Sequence, residues 1–213
     1  MRAWYQRMAV GMTLGSLMLV GPVARSEAGE PLERIRQTVD AVLDVLADVS
    51  LKAPEHTQER RTKLRQAVLQ RFSFEEMARR VLGPHWRKRT AEEQREFVAL
   101  FSDLLERSYI DKIETYGGDK RNIRYTKETI DNDGYASVRS EIANPRDLNV
   151  EVEYRLLPRD NNWEVYDVVI EGVSLVNNYR TQFNKIILEG SYANLVKQMK
   201  LKLEQEQAVT DKK

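Results

Sequence analysis

The run Tyr166-Asp167-Val168-Val169-Ile170-Glu171-Gly172-Val173-Ser174-Leu175-Val176-Asn177-Asn178-Tyr179-Arg180-Thr181-Gln182-Phe183 decides the fold, because its apolar period changes part-way along. Trp163 to Ile170 reads as a strand. From about Ser174 the apolar side chains Val176, Tyr179, Phe183 and then Ile187 recur every three or four residues, which is one stripe of an amphipathic helix. Val168, Val169 and Ile170 are consecutive, so both faces of the strand are apolar at its end. A sheet wetted on one side does not read that way, and the expectation is that something covers both faces there.

Upstream of this run the period is two. Ile123 and Tyr125 alternate with polar residues. Asn132-Asp133-Gly134 supplies the positive-φ residue of a tight hairpin. Ala136, Val138, Ser140 and Ile142 then share a face, as do Val150, Val152, Tyr154 and Leu156 on the next strand. Pro158 to Asn162 is a polar turn. Four strands joined by short connections make an antiparallel sheet.

Before the strands the chain is helical. Val39, Val42, Leu43, Leu46 and Val49 line one face, and Pro54 lies in the break that follows. A second helix from about Thr57 to Gln70 turns Leu64, Ala67 and Val68 inward. Ser73 with Glu76 predicts a capping box for a short helix carrying Phe74, Met77, Ala78 and Val81, which Gly83-Pro84 stops. Thr90 with Glu93 predicts a second capping box. The long stripe Phe97, Phe101, Leu104, Leu105, Tyr109, Ile113 follows, and Gly117-Gly118 closes it. At the other end Gly190 interrupts the helix, and Leu195, Met199 and Leu203 continue on a last one. The fold class is α+β, with N-terminal helices, a four-stranded antiparallel sheet, and C-terminal helices that pack back on it.

The first residues are read apart from the fold. Arg2 and Arg7 precede an apolar stretch from Met8 to Val20, Gly21-Pro22 ends it, and Ser26-Glu27-Ala28 offers small residues for cleavage. Residues 1–28 are therefore read as a signal peptide, 29–204 as one domain and 205–213 as a polar, frayed tail. With no Cys, the fold has no disulfide staple, and burial must hold it together. With 34 basic and 33 acidic residues the net charge is +1, which argues against a nucleic-acid partner.

Catalytic chemistry has little to stand on. His56 lies in a polar stretch and reads as a surface residue. His85, in Gly83-Pro84-His85-Trp86, would need a nucleophile and an orienting carboxylate around it. No Gly-x-Ser-x-Gly elbow and no His/Cys cluster with metal spacing occurs, so no catalytic residue, metal or cofactor is assigned. Asp131-Asn132-Asp133 lacks the rest of a calcium loop and reads as a turn. Arg87-Lys88-Arg89 reads as a solvated loop, with contact to an anionic lipid head or an acidic partner as the alternative. From the residues alone three readings stay open: a carrier with an internal pocket, an interaction module with a filled core, and an exported hydrolase.

The segment 166–183 quoted above strongly resembles a signature of the MlaC family, also called the toluene-tolerance auxiliary family. Two further blocks resemble it: Phe72-Ser73-Phe74-Glu75-Glu76-Met77-Ala78-Arg79-Arg80-Val81-Leu82-Gly83 with Trp86-Arg87, and Gln94-Arg95-Glu96-Phe97-Val98-Ala99-Leu100-Phe101 with Leu104-Leu105-Glu106. The resemblance runs from about Pro31 to Leu203. It implies a non-enzymatic periplasmic carrier of phospholipid in a Gram-negative envelope. The implied partners are an outer-membrane lipoprotein–porin complex and an inner-membrane ABC transporter with a hexameric lipid-binding ring, and the implied role is maintaining outer-membrane lipid asymmetry. Asn144-Pro145-Arg146-Asp147-Leu148 is a longer polar turn than the family leads one to expect.

Elementary energetics agrees with such a role. Each methylene taken from water is worth about 0.8 kcal/mol, so two chains of about sixteen carbons cost on the order of 25 kcal/mol to expose. They need a pocket at the upper end of the roughly 300 to 1,000 Å³ usual for ligands. The expected tail lining is Phe74, Met77, Phe97, Phe101, Leu105, Tyr109, Tyr154, Val168, Ile170, Val173, Val176 and Phe183. Asn177 to Arg180 carry two readings: capping of the C-terminal helix, or Arg180 beside a phosphate head group.

Overall fold

The computed structural model describes residues 31–115, 122–143, 149–160 and 162–210. The signal-peptide reading of 1–28, the Gly117-Gly118 stop and the Asn144–Leu148 turn lie outside these residues. Four helices come first: α1 (Pro31–Ala47), α2 (Thr57–Leu69), α3 (Phe74–Leu82) and α4 (Ala91–Thr115). The strands β1 (Ile123–Ile130), β2 (Ala136–Ile142), β3 (Val150–Arg159), β4 (Asn162–Ile170) and β5 (Val173–Ser174) follow, then α5 (Leu175–Glu189) and α6 (Tyr192–Thr210). The sheet is an antiparallel meander in the order β1-β2-β3-β4-β5. Its fifth strand is a two-residue addition to the expected four.

Local chemistry accounts for several boundaries. Thr90 and Glu93 exchange the two bonds of a capping box at the start of α4: the Thr90 amide donates to Glu93 Oε2 at 2.9 Å, and the Glu93 amide donates to Thr90 Oγ1 at 3.2 Å. In the β1–β2 hairpin, Gly134 takes φ 81°, and the Asp131 carboxylate accepts from the amides of Asp133 and Tyr135. The second expected capping box does not form. Ser73 makes no cap bond, because its amide donates to the Val165 carbonyl at 2.9 Å and ties the chain to β4. Glu76 turns instead to Arg79 and Arg80. Val49 leaves the α1 stripe: the helix ends at Ala47, and Val49 is 77% exposed on the 3₁₀ turn beyond it. Of the three residues expected inward on α2, only Leu64 is buried. α6 runs through Thr210, past the fraying expected after Glu204, on residues such as Leu, Lys, Glu and Gln that favour helix.

The three apolar residues at the end of β4 have a cause other than helices on both faces. Leu156 pairs with Val165 and Arg155 with Asp167, so Tyr166 is an extra residue without a partner. This bulge resets the alternation. Trp163 and Val165 before it, and Val168 and Ile170 after it, all share the face that carries Leu156, Tyr154 and Val152. Asp167 and Val169 go to the other face, opposite Arg155 and Glu153. That outer face is polar. Arg139 meets Glu153 at 2.6 Å, Arg155 meets Glu153 at 2.9 Å and Asp167 at 3.3 Å, and Arg124 meets Glu141 at 2.5 Å.

Helices cover only the inner face. α1 lies over β1 and β2, with the Leu32 amide donating to Glu128 Oε1 at 2.8 Å. α3 and α5 pack on each other and on β4, and α6 packs on α4 and α5. α2 is attached to α4 largely through charge: Arg60 with Glu114 at 2.7 Å, Arg61 with Asp111 at 2.6 Å, and Arg65 with Asp103 at 2.9 Å.

Burial alone would raise the Glu153 carboxyl, but hydrogen bonds from Arg155 and Arg139 hold it below its ordinary value. A carboxylate with a depressed folded-state value stabilises the fold above its unfolded value, about 4.3, and loses that contribution as pH falls through the folded one. Wild type will therefore exceed Glu153→Gln in urea midpoint at pH 7, and the gap will close as the pH is taken down towards 3. A gap independent of pH contradicts this account.

Candidate functional site: the apolar interior between sheet and helices

The interior is built on one aromatic cluster. α4 presents Phe97 and Phe101 one turn apart, stacked at 6.0 Å between ring centres. α5 presents Tyr179 and Phe183 on its own stripe. Phe183 meets Phe97 edge-on at 6.0 Å, and Tyr179 meets Phe101 edge-on at 5.5 Å. Tyr192 at the start of α6 closes the group, its hydroxyl donating to the Glu93 carbonyl at 3.0 Å. Such edge-to-face pairs add about 0.5–1.5 kcal/mol each beyond area burial.

Most of the expected lining meets in this core. Met77, Phe97, Phe101, Leu105, Val168, Val176 and Phe183 are buried within it, and Phe74, Tyr109, Tyr154 and Ile170 are half-buried against it. Val173 does not join them. It is 55% exposed on β5, paired with Ile170 at the sheet edge.

The interior is not uniformly closed. Phe97 and Phe101 have no exposed surface at all. Tyr154, on the central strand β3, behaves differently. Burial pushes its phenol up to about 12, with a smaller opposing effect from a hydrogen bond to Ser140, yet the residue keeps accessible surface. A side chain set that deep which still meets solvent-sized space borders a crevice. Tyr125 on β1 and Tyr109 on α4 share this character: both phenols are raised by burial, and both residues are half-buried. Tyr125 lies opposite the fully buried Ser140, and the Arg36 guanidinium from α1 stands 5.4 Å over its ring. The half-buried Ile142, Val150 and Ile170 continue this apolar wall along the sheet.

Tyr125 and Ser140 were legible as inward positions of their strands but carried no assignment. The signal available for them is modest: hydroxyl-bearing side chains at facing positions of adjacent strands in an otherwise apolar surface.

Arg180 lies elsewhere. Its side chain is exposed and its guanidinium rests against Gly83, where an added Cβ would sit 3.4 Å from Nε. Gly83 has φ 52° and ψ −123°, a backbone region that effectively requires glycine. It lines a surface recess of about 440 Å³ together with Arg79, Arg80, Arg87, Trp86 and Glu76. That recess is cationic and polar. Asn177 donates its amide to Ser174 Oγ at 3.0 Å, so the helix cap is Ser174 rather than the Asn pair. His85 Nε2 lies 3.0 Å from Asn184 Oδ1, and His56 pairs with Glu59 at 3.5 Å. Neither histidine is set beside a hydroxyl nucleophile in these contacts.

Three comparisons bear on this geometry. A family model described as "MlaC protein" matches residues 36–201. The chain is 24% identical, over 151 residues and 70% of each chain, to the intermembrane phospholipid transport system binding protein MlaC of Haemophilus influenzae. It superposes on the phospholipid-binding protein of Ralstonia solanacearum, solved in complex with a phospholipid, with TM-score 0.75 and 25% identity, covering 83% of this chain and 98% of the other.

If the aromatic cluster holds α4 and α5 together, Phe101→Ala will cost about 3–5 kcal/mol of stability. Arg180→Ala, on the exposed side of α5, will stay within about 0.5 kcal/mol of wild type. Urea unfolding of both variants checks this pair; equal effects would contradict it.

Proposed function

The chain belongs to the MlaC family, and on that premise we propose that it is a soluble carrier of phospholipid and not an enzyme. In this reading, residues 1–28 direct export and are removed, and the remaining domain works in the periplasm of a Gram-negative bacterium. The acyl tails lie against the inner face of the sheet, beneath α1, α4 and α5. The carrier receives lipid from one membrane complex and delivers it to another: an outer-membrane lipoprotein–porin assembly and an inner-membrane ABC transporter with a hexameric lipid-binding ring. The outcome is lipid asymmetry of the outer membrane. The lipid is cargo, and the chemistry asked of the protein is burial and release, with no cofactor.

The observation that carries this reading is the deep but accessible flank of the interior at Tyr154, Tyr125 and Tyr109. An interaction module with a filled core has no use for accessible surface at that depth. Support also comes from the Ralstonia solanacearum relative, whose structure contains a phospholipid. Two acyl chains require more room than this flank alone supplies. In this reading loading moves the aromatic α4–α5 layer away from the sheet, an adjustment of packed side chains and not of backbone hydrogen bonding. Met77, Phe97, Phe101, Leu105, Val168, Val176 and Phe183 then become tail contacts on loading, while Phe74, Tyr109, Tyr154 and Ile170 are available before it. Arg180 and the cationic recess beside Gly83 stand as the candidate contact for a phosphate head group.

Native mass spectrometry of protein purified from the periplasm tests the reading. About one phospholipid mass per chain, released only on denaturation, is expected. Ile170→Arg, which places a charge on the wall, will leave the protein folded by circular dichroism and lower its lipid occupancy several-fold. A folded wild-type protein that carries no lipid and takes none from phospholipid vesicles contradicts the carrier role and favours an interaction module.

A further inference from the structure

The crevice contains one hydrogen-bond donor that the fold leaves unused. Three hydroxyl side chains stand together on the inner face of the sheet. Tyr125 is directly opposite Ser140, and Tyr154 is a diagonal neighbour of Ser140 on the next strand. Side chains at such positions lie about 5 to 8 Å apart at Cβ, within reach of a phenol. Two of the three have partners. Tyr154 is hydrogen-bonded to Ser140, and the Ser140 hydroxyl donates to the Val152 carbonyl at 3.5 Å. The Tyr125 hydroxyl has no hydrogen-bond partner among the described residues. The groups that face it from α1 are Glu33, Arg36 and Asp40; Arg36 is stacked over its ring and pairs with Glu33. Burial raises the Tyr125 phenol well above its ordinary value, so it stays a neutral O–H donor throughout the physiological range.

A donor kept in an apolar crevice sets the orientation of what enters, because polar groups there find few alternatives. A diacyl phospholipid offers two kinds of acceptor. The phosphate is charged and strongly hydrated, and suits the cationic recess beside Gly83. The ester carbonyls are neutral and sit where the tails begin, so they can follow the tails into an apolar wall at small desolvation cost. We infer that the Tyr125 hydroxyl, backed by the Tyr154–Ser140 pair, donates to an ester carbonyl of the bound lipid and thereby selects ester-linked diacyl lipids and sets how deep the tails sit. This rests on the carrier reading above.

The test is competitive loading of delipidated protein from vesicles containing equal amounts of a diester phosphatidylglycerol and its chain-matched diether, with bound lipid counted by mass spectrometry. One neutral hydrogen bond corresponds to about a three- to tenfold preference. Wild type is expected to prefer the diester by that factor. Tyr125→Phe, which keeps the ring and its packing, is expected to load both lipids equally with unchanged total occupancy. Equal loading of the two lipids by wild type overturns the inference while leaving the carrier reading intact. So does a Tyr125→Phe protein that keeps the preference, or one in which both lipids weaken alike, which would place the donor on the phosphate. Failure of wild type to load either lipid overturns the carrier reading itself.

Discussion

The arrangement depends on one buried carboxylate. Asp167 is 3% exposed and accepts three hydrogen bonds: from the Ser174 hydroxyl at 2.6 Å, the Val176 amide at 3.0 Å and the Arg155 guanidinium at 3.3 Å. Each bond fixes a different relation. The amide satisfies one of the free N–H groups at the start of α5, and the negative charge suits that helix end. The hydroxyl holds the cap residue Ser174, which in turn accepts from Asn177. The guanidinium links α5 to the polar ladder across β3 and β2. A carboxylate so enclosed is tolerable only because its partners replace water. Asp167 reaches this place because the bulge at Tyr166 turns it off the inner face. The same reset puts Val168 and Ile170 onto the wall and lays the aromatic stripe of α5 over it.

From that anchor the two flanks of the interior acquire different properties. Towards α5 and α6 the rings interlock, and the space is closed. Towards α1 and the C-terminal half of α4, tyrosines and aliphatic residues of the sheet keep accessible surface. The helix at that side, α2, contributes one buried side chain, and its grip on α4 is a row of arginine–carboxylate pairs at the surface. Partly exposed pairs of this kind are each worth little and are weakened by salt. A carrier must load and unload without unfolding. An interior rigid on one flank and lightly held on the other fits that requirement.

The elements that were legible in the sequence are those whose signal is local. The Thr90–Glu93 box, the Asn132–Gly134 hairpin and the stripe on α4 depend on spacing within one segment, and they stand as expected. The features that were not legible depend on a partner. The Ser73–Glu76 pattern is as good a capping box on paper as Thr90–Glu93, but β4 takes the Ser73 amide and two arginines take Glu76. Three consecutive apolar residues in β4 looked like a strand covered twice; only the register against β3 reveals a bulge. Val173 continued an apolar run and so seemed inward, but β5 is an edge strand that leaves it half in water. Within the site the aromatic positions could be named from periodicity. Which of them are sealed and which border the crevice is a property of packing between α1, α4 and the sheet, and no single segment encodes it.

The central claim is that acyl tails occupy the flank of the sheet bordered by Tyr154, Ile170 and Tyr109. Photo-crosslinking tests it most directly. The protein is loaded with a phospholipid carrying a diazirine at mid-chain, irradiated, digested, and its adducts located by mass spectrometry. The account predicts adducts concentrated on peptides containing Tyr109, Tyr154 or Ile170. Adducts confined to the outer face of the sheet or to the exposed side of α2, with these peptides unlabelled, would contradict it.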